Sequence, residues 1–150
     1  MRIDYIDDTI IIYMDYKEYD IENICYETIK KIKDYFNIEL KGFYKVNVYI
    51  DKNNGIVLEY SLEDKNLYIN YNKVDLNIQI YNTIFLYEIE DILDIEKIEF
   101  IIYKNKYYIK KINCDLKIID FCSLVYKNTD EIINNGIIMC KYYNKVVEKK

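Results

Sequence analysis

Residues 44–62 read Tyr44-Lys45-Val46-Asn47-Val48-Tyr49-Ile50-Asp51-Lys52-Asn53-Asn54-Gly55-Ile56-Val57-Leu58-Glu59-Tyr60-Ser61-Leu62. Two alternating apolar runs flank an Asn-Asn-Gly turn, which is the pattern of a β-hairpin with one face on a core. A two-residue Asn54-Gly55 turn would set Ile50 opposite Glu59, a core position against a charge. A three-residue loop, Asn53-Asn54-Gly55, pairs Ile50 with Leu58 and Val48 with Tyr60 and keeps one face apolar. An antiparallel hairpin over residues 39–62 is therefore predicted, with Ile50 facing Leu58.

Upstream, residues 3–14 read as a first strand with Asp7-Asp8 as a turn before Thr9. A helix follows. Ile21, Cys25, Ile29, Ile32 and Phe36 share one helical face, Asp15-to-Glu18 or Asp20 supplies an N-cap, and Asn37 suits a left-handed stop. Downstream, residues 63–73 are polar and Asn-rich, with Leu67, Ile69 and Tyr71 able to form a short strand. Val74, Leu76, Ile78 and Ile80 alternate as a half-buried strand. Phe85, Ile89, Ile92 and Leu93 fit a short helix capped by Asn82 or Thr83. Residues 98–112 make another hairpin, closed near Lys104-Asn105-Lys106. Residues 115–126 fit a helix or strands, and Thr129-Asp130-Glu131 opens a helical turn that Gly136 closes. The fold class expected is α/β of the α+β kind, rich in β. It comprises two βαββ-like units, residues 1–62 and 74–150, the second with a helical extension. Residues 63–73 are a short connector, and the absence of a Pro/Gly/Ser linker predicts packing into one body.

Composition narrows the chemistry. The chain has no His, Pro, Trp or Ala, one Arg (Arg2), two Ser and three widely spaced Gly. The commonest general acid–base near neutral pH is absent, and so is a glycine-rich phosphate loop. Cys25, Cys114, Cys122 and Cys140 form no CxxC pair and have no His to complete a zinc site. Four reduced, mostly buried thiols in a cytoplasmic protein are expected instead. No catalytic residue, cofactor or metal site is expected. The net charge of −5 argues against a nucleic-acid surface. The longest apolar run, Ile10 to Met14, is too short to cross a bilayer, and the opening residues show no signal-peptide core. Ile, Lys, Asn and Tyr fill 85 of 150 positions, the imprint of an AT-rich genome, so the 19 Tyr carry no functional weight by number alone.

The acidic stretch Glu88, Glu90, Asp91, Asp94, Glu96, Glu99 is the candidate for function. It has no EF-hand spacing, and a solvated helix face would account for it. On a helix, Glu90 and Asp94 would be like charges four apart, costing about 0.2–0.5 kcal/mol and only partly relieved by Lys97. The basic hairpin bearing Lys104, Lys106, Lys110 and Lys111 offers counter-charges within the fold; otherwise the acids remain for a basic partner. Glu90, Asp91 and Asp94 are thus the expected partner-binding residues. Tyr107-Tyr108 between those lysines reads as an ordinary strand rather than a base-stacking platform.

Several short motifs occur in one order along the chain. They are Met1-Arg2-Ile3-Asp4-Tyr5-Ile6 with Thr9-Ile10, Gly42-Phe43-Tyr44 with Gly55-Ile56-Val57-Leu58-Glu59, Ile89-Glu90-Asp91-Ile92-Leu93, Tyr103 to Ile109, and Asp130-Glu131 before Gly136-Ile137-Ile138. This order resembles the MecA adaptor family of low-GC Gram-positive bacteria. The resemblance implies a cytoplasmic adaptor whose N-terminal part takes substrates and whose C-terminal part docks on a ClpC-type AAA+ unfoldase. Residues 79–139 would inherit the docking role, with Glu90 and Asp91 central. The chain departs from the family in lacking a long acidic linker and in its abbreviated C-terminal half, which bears on two-domain tethering. The expected function is thus non-catalytic protein–protein contact, which the resemblance makes that of an adaptor for Clp-type proteolysis, with no nucleic acid and no membrane. Two other readings stay open: an inhibitor or accessory protein of a mobile element, and an enzyme or RNA-binding module without a recognisable motif.

Overall fold

A computed structural model describes residues 1–63, 73–93, 95–110 and 122–149 of the chain. Strands dominate, arranged in two sheets with helices beside them, an α+β architecture. The chain divides into two units, Met1–Asn82 and Thr83–Lys150.

In the first unit, β1 (Arg2–Ile6) and β2 (Thr9–Met14) form a tight hairpin rather than one long strand. Asp7 and Asp8 make the turn, with φ of 49° and 61°. Successive left-handed residues are what a two-residue hairpin needs, and Asp tolerates that region better than most side chains. Helix α1 (Ile21–Phe36) starts at Asp20, whose carboxylate accepts from the Asn23 amide at 3.4 Å, and stops at Asn37 with φ 53°. Of the two expected caps, Asp20 is used. Strands β3 (Gly42–Asp51), β4 (Gly55–Leu62) and β5 (Val74–Asn82) complete a sheet ordered β1-β2-β4-β3-β5.

The β3–β4 register corrects the sequence expectation by one step of the loop. Ile50 pairs with Ile56, Val48 with Leu58 and Val46 with Tyr60. The loop has three residues, as expected, but they are 52–54, one position earlier. Asp51 sets the position: its carboxylate accepts from the Asn53 amide at 3.0 Å and from Asn54 Nδ2 at 2.7 Å. Gly55, at φ 143°, then resumes the ladder opposite Asp51, a conformation an L side chain rarely adopts. Pairing shifts by two residues, and a shift of two leaves each side chain on its face. Val46, Val48, Ile56, Leu58 and Tyr60 are all fully buried with Ile10, Ile12, Cys25 and Ile32.

A second correction concerns the boundary. Strand β5 pairs in parallel with β3 from Gly42↔Val74 to Ile50↔Asn82. Residues 74–82 therefore belong to the first unit, not to the second as the sequence reading placed them. The possible strand at Leu67–Tyr71 lies outside the described residues.

Beneath α1, the Tyr60 hydroxyl donates to the Cys25 carbonyl at 2.7 Å and pairs with the Thr28 hydroxyl, which also reaches the Cys25 carbonyl at 3.0 Å. Burial pushes the Cys25 thiol from 9.0 up to about 11; the Tyr60 hydroxyl partly offsets this. A thiol raised in the folded state contributes stability that is complete below pH 9 and lost as the pH climbs from about 9 to 11. Cys122 and Cys140 are half-buried, so the expectation of mostly buried thiols holds only for Cys25; Cys114 lies outside the described residues. With a thiol-reactive chromophore at pH 8, Cys25 should label only as fast as the first unit opens, well behind Cys122 and Cys140. Labelling of all three at one fast rate in native buffer would contradict this packing.

The second unit holds β6 (Leu86–Ile89), β7 (Lys97–Tyr103), β8 (Lys106–Ile109), β9 (Ser123–Val125), α2 (Thr129–Asn135), β10 (Ile137–Tyr142) and β11 (Lys145–Glu148). The strands order as β11-β10-β7-β8-β6-β9, with every pair antiparallel. The β7–β8 hairpin turns at Lys104 and Asn105, where the sequence placed it, with φ of 48° and 62°. Helix α2 ends at Gly136, whose amide donates to the Ile132 carbonyl at 2.8 Å. A Cβ there would stand 2.5 Å from that same oxygen and collide with the Ile101 side chain, so the stop requires glycine.

The expected helix over residues 85–93 is instead strand β6 followed by a loop, and the like-charge argument for Glu90 and Asp94 on a helix falls with it. The reason lies in the layers. Leu86, Ile101 and Tyr108 pack under α2, while Ile89, Ile98, Phe100 and Ile109 pack with Ile92 on the opposite face. A strand apolar on both faces loses the period-two signal, and Phe85, Ile89 and Ile92 then mimic helical spacing. The second unit therefore lacks the strand-helix-hairpin order expected of it. Among the described residues, no helix is long and apolar enough to cross a membrane.

Candidate functional site

The loop from Glu90 to Glu96 joins β6 to β7 and carries two of the three predicted site residues. Ile89 and Ile92, both buried, anchor it to the core from either side. Glu90 and Asp91 lie between these anchors and are exposed. Asp91 turns its carboxylate back to accept from the Leu93 amide at 2.8 Å, a local turn that Asp favours. The Ile95 amide donates to the Ile92 carbonyl at 3.2 Å, closing the bend. Leu93 is left 77% exposed at the tip. Asp94, the third predicted residue, lies outside the described residues.

Strand β10 holds this loop in place. Lys141 is only 9% exposed, and its ammonium donates to the Ile92 carbonyl at 2.6 Å and the Leu93 carbonyl at 2.8 Å. The Tyr143 amide adds a bond to the Glu96 carbonyl at 2.5 Å. Beside it, Lys97 stands over the rings of Tyr142 and Tyr143, with its nitrogen 4.8 and 5.4 Å from their centroids. A loop of this kind fixes its backbone with a buried cation while presenting an apolar tip and carboxylates to solvent. Presentation of that sort suits recognition by another surface.

The acidic stretch divides by its partners. Glu88 pairs with Lys106 at 3.5 Å and Glu99 with Lys149 at 2.8 Å, while Lys104 turns to Glu131 at 3.9 Å. The basic hairpin thus neutralises Glu88 within the fold through Lys106, as the sequence allowed, while Glu99 is met by Lys149 instead. Glu90 and Asp91 have no ion-pair partner among the described residues. Their charge is directed outward, near Leu93.

Three contributors were missed from the sequence: Leu93 as an exposed tip, Lys141 as the latch and Tyr143 as a second tie. Lys141 carried a legible signal, because it falls in phase with Met139 on one side of an otherwise apolar strand. Among the described residues, no group of three or more His, Cys, Asp or Glu is placed to hold a metal ion. No family model, curated protein or solved structure matches this chain.

Proposed function

We propose that this protein acts by protein–protein contact without catalysis, as a cytoplasmic adaptor for a Clp-type AAA+ unfoldase, docking through Glu90, Asp91 and Leu93. The observation that carries the reading is the latched loop. An exposed leucine beside acidic residues that make no ion pair among the described residues, on a loop whose backbone a buried lysine fixes, is a pre-organised surface of the kind a partner can cover. The motif order shared with MecA adaptors supports the choice of unfoldase, since the same residues fall in the docking half of that family. Asp94 continues the acidic run and is included in the proposed surface on its sequence position alone.

The test is charge reversal. Glu90→Lys with Asp91→Lys should leave the melting temperature nearly unchanged, since exposed substitutions usually fall within about 0.5 kcal/mol. Binding to a purified ClpC-type unfoldase should weaken by about ten-fold or more, chiefly in the association rate, and the wild-type complex should weaken with added salt. Equal binding by the variant and the wild type would reduce the loop to a solvated turn.

A further inference from the structure

Strand β1 ends the first sheet, and among the described residues no strand or loop pairs with its outer side. The turn decides which backbone groups that side offers. A two-residue loop at Asp7 and Asp8 makes Ile6↔Thr9 a hydrogen-bonded pair, and bonding alternates from there along the ladder. Asp4 and Arg2 therefore bond to β2, while Tyr5 and Ile3 turn their N–H and C=O outward, with Met1 next in phase. Met1, Tyr5 and Ile6 are 53%, 52% and 51% exposed. Nothing in β1 blunts the edge: it holds no proline, and its two charges, Arg2 and Asp4, are opposite in sign. These two share one face with their charged groups 3.4 Å apart, and the Arg2 guanidinium lies 3.9 Å over the Tyr13 ring of β2.

We infer that β1 pairs antiparallel with β1 of a second copy of this chain, about a two-fold axis at Ile3, so that the two first-unit sheets become one. Backbone and charge choose the same register. In an antiparallel pair, outward-bonding residues face one another, so Met1, Ile3 and Tyr5 are the residues that exchange bonds. Centring the pair on Arg2 or on Asp4 would set like charges face to face, and centring it on Tyr5 would leave most of β1 unpaired. Centring on Ile3 sets Arg2 opposite Asp4 of the other copy, twice by symmetry, and Met1 opposite Tyr5. Arg2 and Asp4 then fall at a non-hydrogen-bonded position, where opposed side chains stand closest. Each Arg2 also keeps its own Asp4, so four charges alternate in sign, and the donors of the guanidinium serve both carboxylates. On the other face Ile3, already packed on the core, meets its copy. The other strands that end a sheet lack this complementarity. β5 carries one charge, Asp75, β9 carries none, and in β11 Lys145 and Glu148 point to opposite faces. β1 belongs to the first unit and the Glu90–Leu93 loop to the second, so the dimer does not depend on unfoldase docking.

Sedimentation equilibrium of the full chain, from micromolar to millimolar protein, should show a monomer–dimer equilibrium. Arg2→Asp alone and Asp4→Arg alone each turn both opposed pairs repulsive and should weaken association about ten-fold or more. An equal mixture of those two variants should recover association as a heterodimer, and Arg2→Asp with Asp4→Arg in one chain should recover the homodimer. Tyr5→Pro removes an outward N–H and leaves the β2 ladder its bonds, so it should abolish the dimer with little change in melting temperature. Glu90→Lys with Asp91→Lys should leave association unchanged. A chain that stays monomeric throughout, single charge variants that associate as the wild type does, or a mixture that fails to recover would overturn the inference. So would a dimer that Val147→Asp dissociates, by placing the contact on β11.

Discussion

Replacing Tyr60 with alanine is expected to cost the first unit about 3–5 kcal/mol, the range for truncating a large buried aromatic side chain. Tyr60 is completely buried between β4 and α1, packed with Ile12, Val46, Leu58 and Ile32. Its hydroxyl also binds the Cys25 carbonyl and the Thr28 hydroxyl, and so ties the helix to the sheet. Truncation therefore opens a cavity and strips a buried network of its central member. Tyr60→Phe keeps the ring and should cost only about 1–3 kcal/mol, the penalty of the orphaned polar groups. Urea unfolding, read together with hydrogen exchange at β2, β4 and α1, distinguishes the two. Similar losses for alanine and phenylalanine would mean that the hydroxyl network, not ring packing, dominates. An alanine loss under about 1 kcal/mol would contradict the core described here.

Replacing Lys141 with methionine is the second large effect. Methionine keeps most of the aliphatic stem, so the change isolates the two bonds from the ammonium to the Ile92 and Leu93 carbonyls. Hydrogen bonds to charged groups contribute about 1.5–3 kcal/mol, and the second unit should lose stability of that order. Replacing a buried cation with an apolar side chain also removes its desolvation cost, so the lower end of the range is expected. The loop should report the change locally: amides of Leu93 and Ile95 donate to Asp91 and Ile92, and their exchange should accelerate more than that of β7 or β8. Exchange that rises uniformly across the unit would mean Lys141 supports the sheet rather than the loop.

Much of the fold was legible where one face of an element is buried and the other is wet. Helix α1 shows that clearly: its apolar stripe, its cap at Asp20 and its stop at Asn37 all follow from residue chemistry. The β3–β4 hairpin was legible in face and loop length, but its loop position turned on Asp51, whose carboxylate competes for the turn amides in a way alternation cannot reveal. Strand β6 was illegible because both of its faces are covered, and apolar residues at 85, 89 and 92 then resemble a helical stripe. The membership of β5 depended on a parallel pairing with β3, a long-range contact that no local pattern encodes.

The candidate site was legible in its charges and illegible in its geometry. Glu90 and Asp91 stand out in the sequence as acids in excess of nearby lysines. Their presentation depends on Lys141, about fifty positions downstream, reaching back across β7 to backbone atoms that carry no sequence signature. The exposed Leu93 was read as a core residue because Ile89 and Ile92 are core residues, and only the turn made by Asp91 separates it from them.

Hydrogen exchange of this protein in complex with a purified ClpC-type unfoldase tests the proposed docking most directly. The account expects protection concentrated in the Glu90–Glu96 loop and at the Tyr143-Asn144 turn that ties to it, with α1 unchanged. Protection elsewhere with the loop left untouched, or no complex at all, would contradict it.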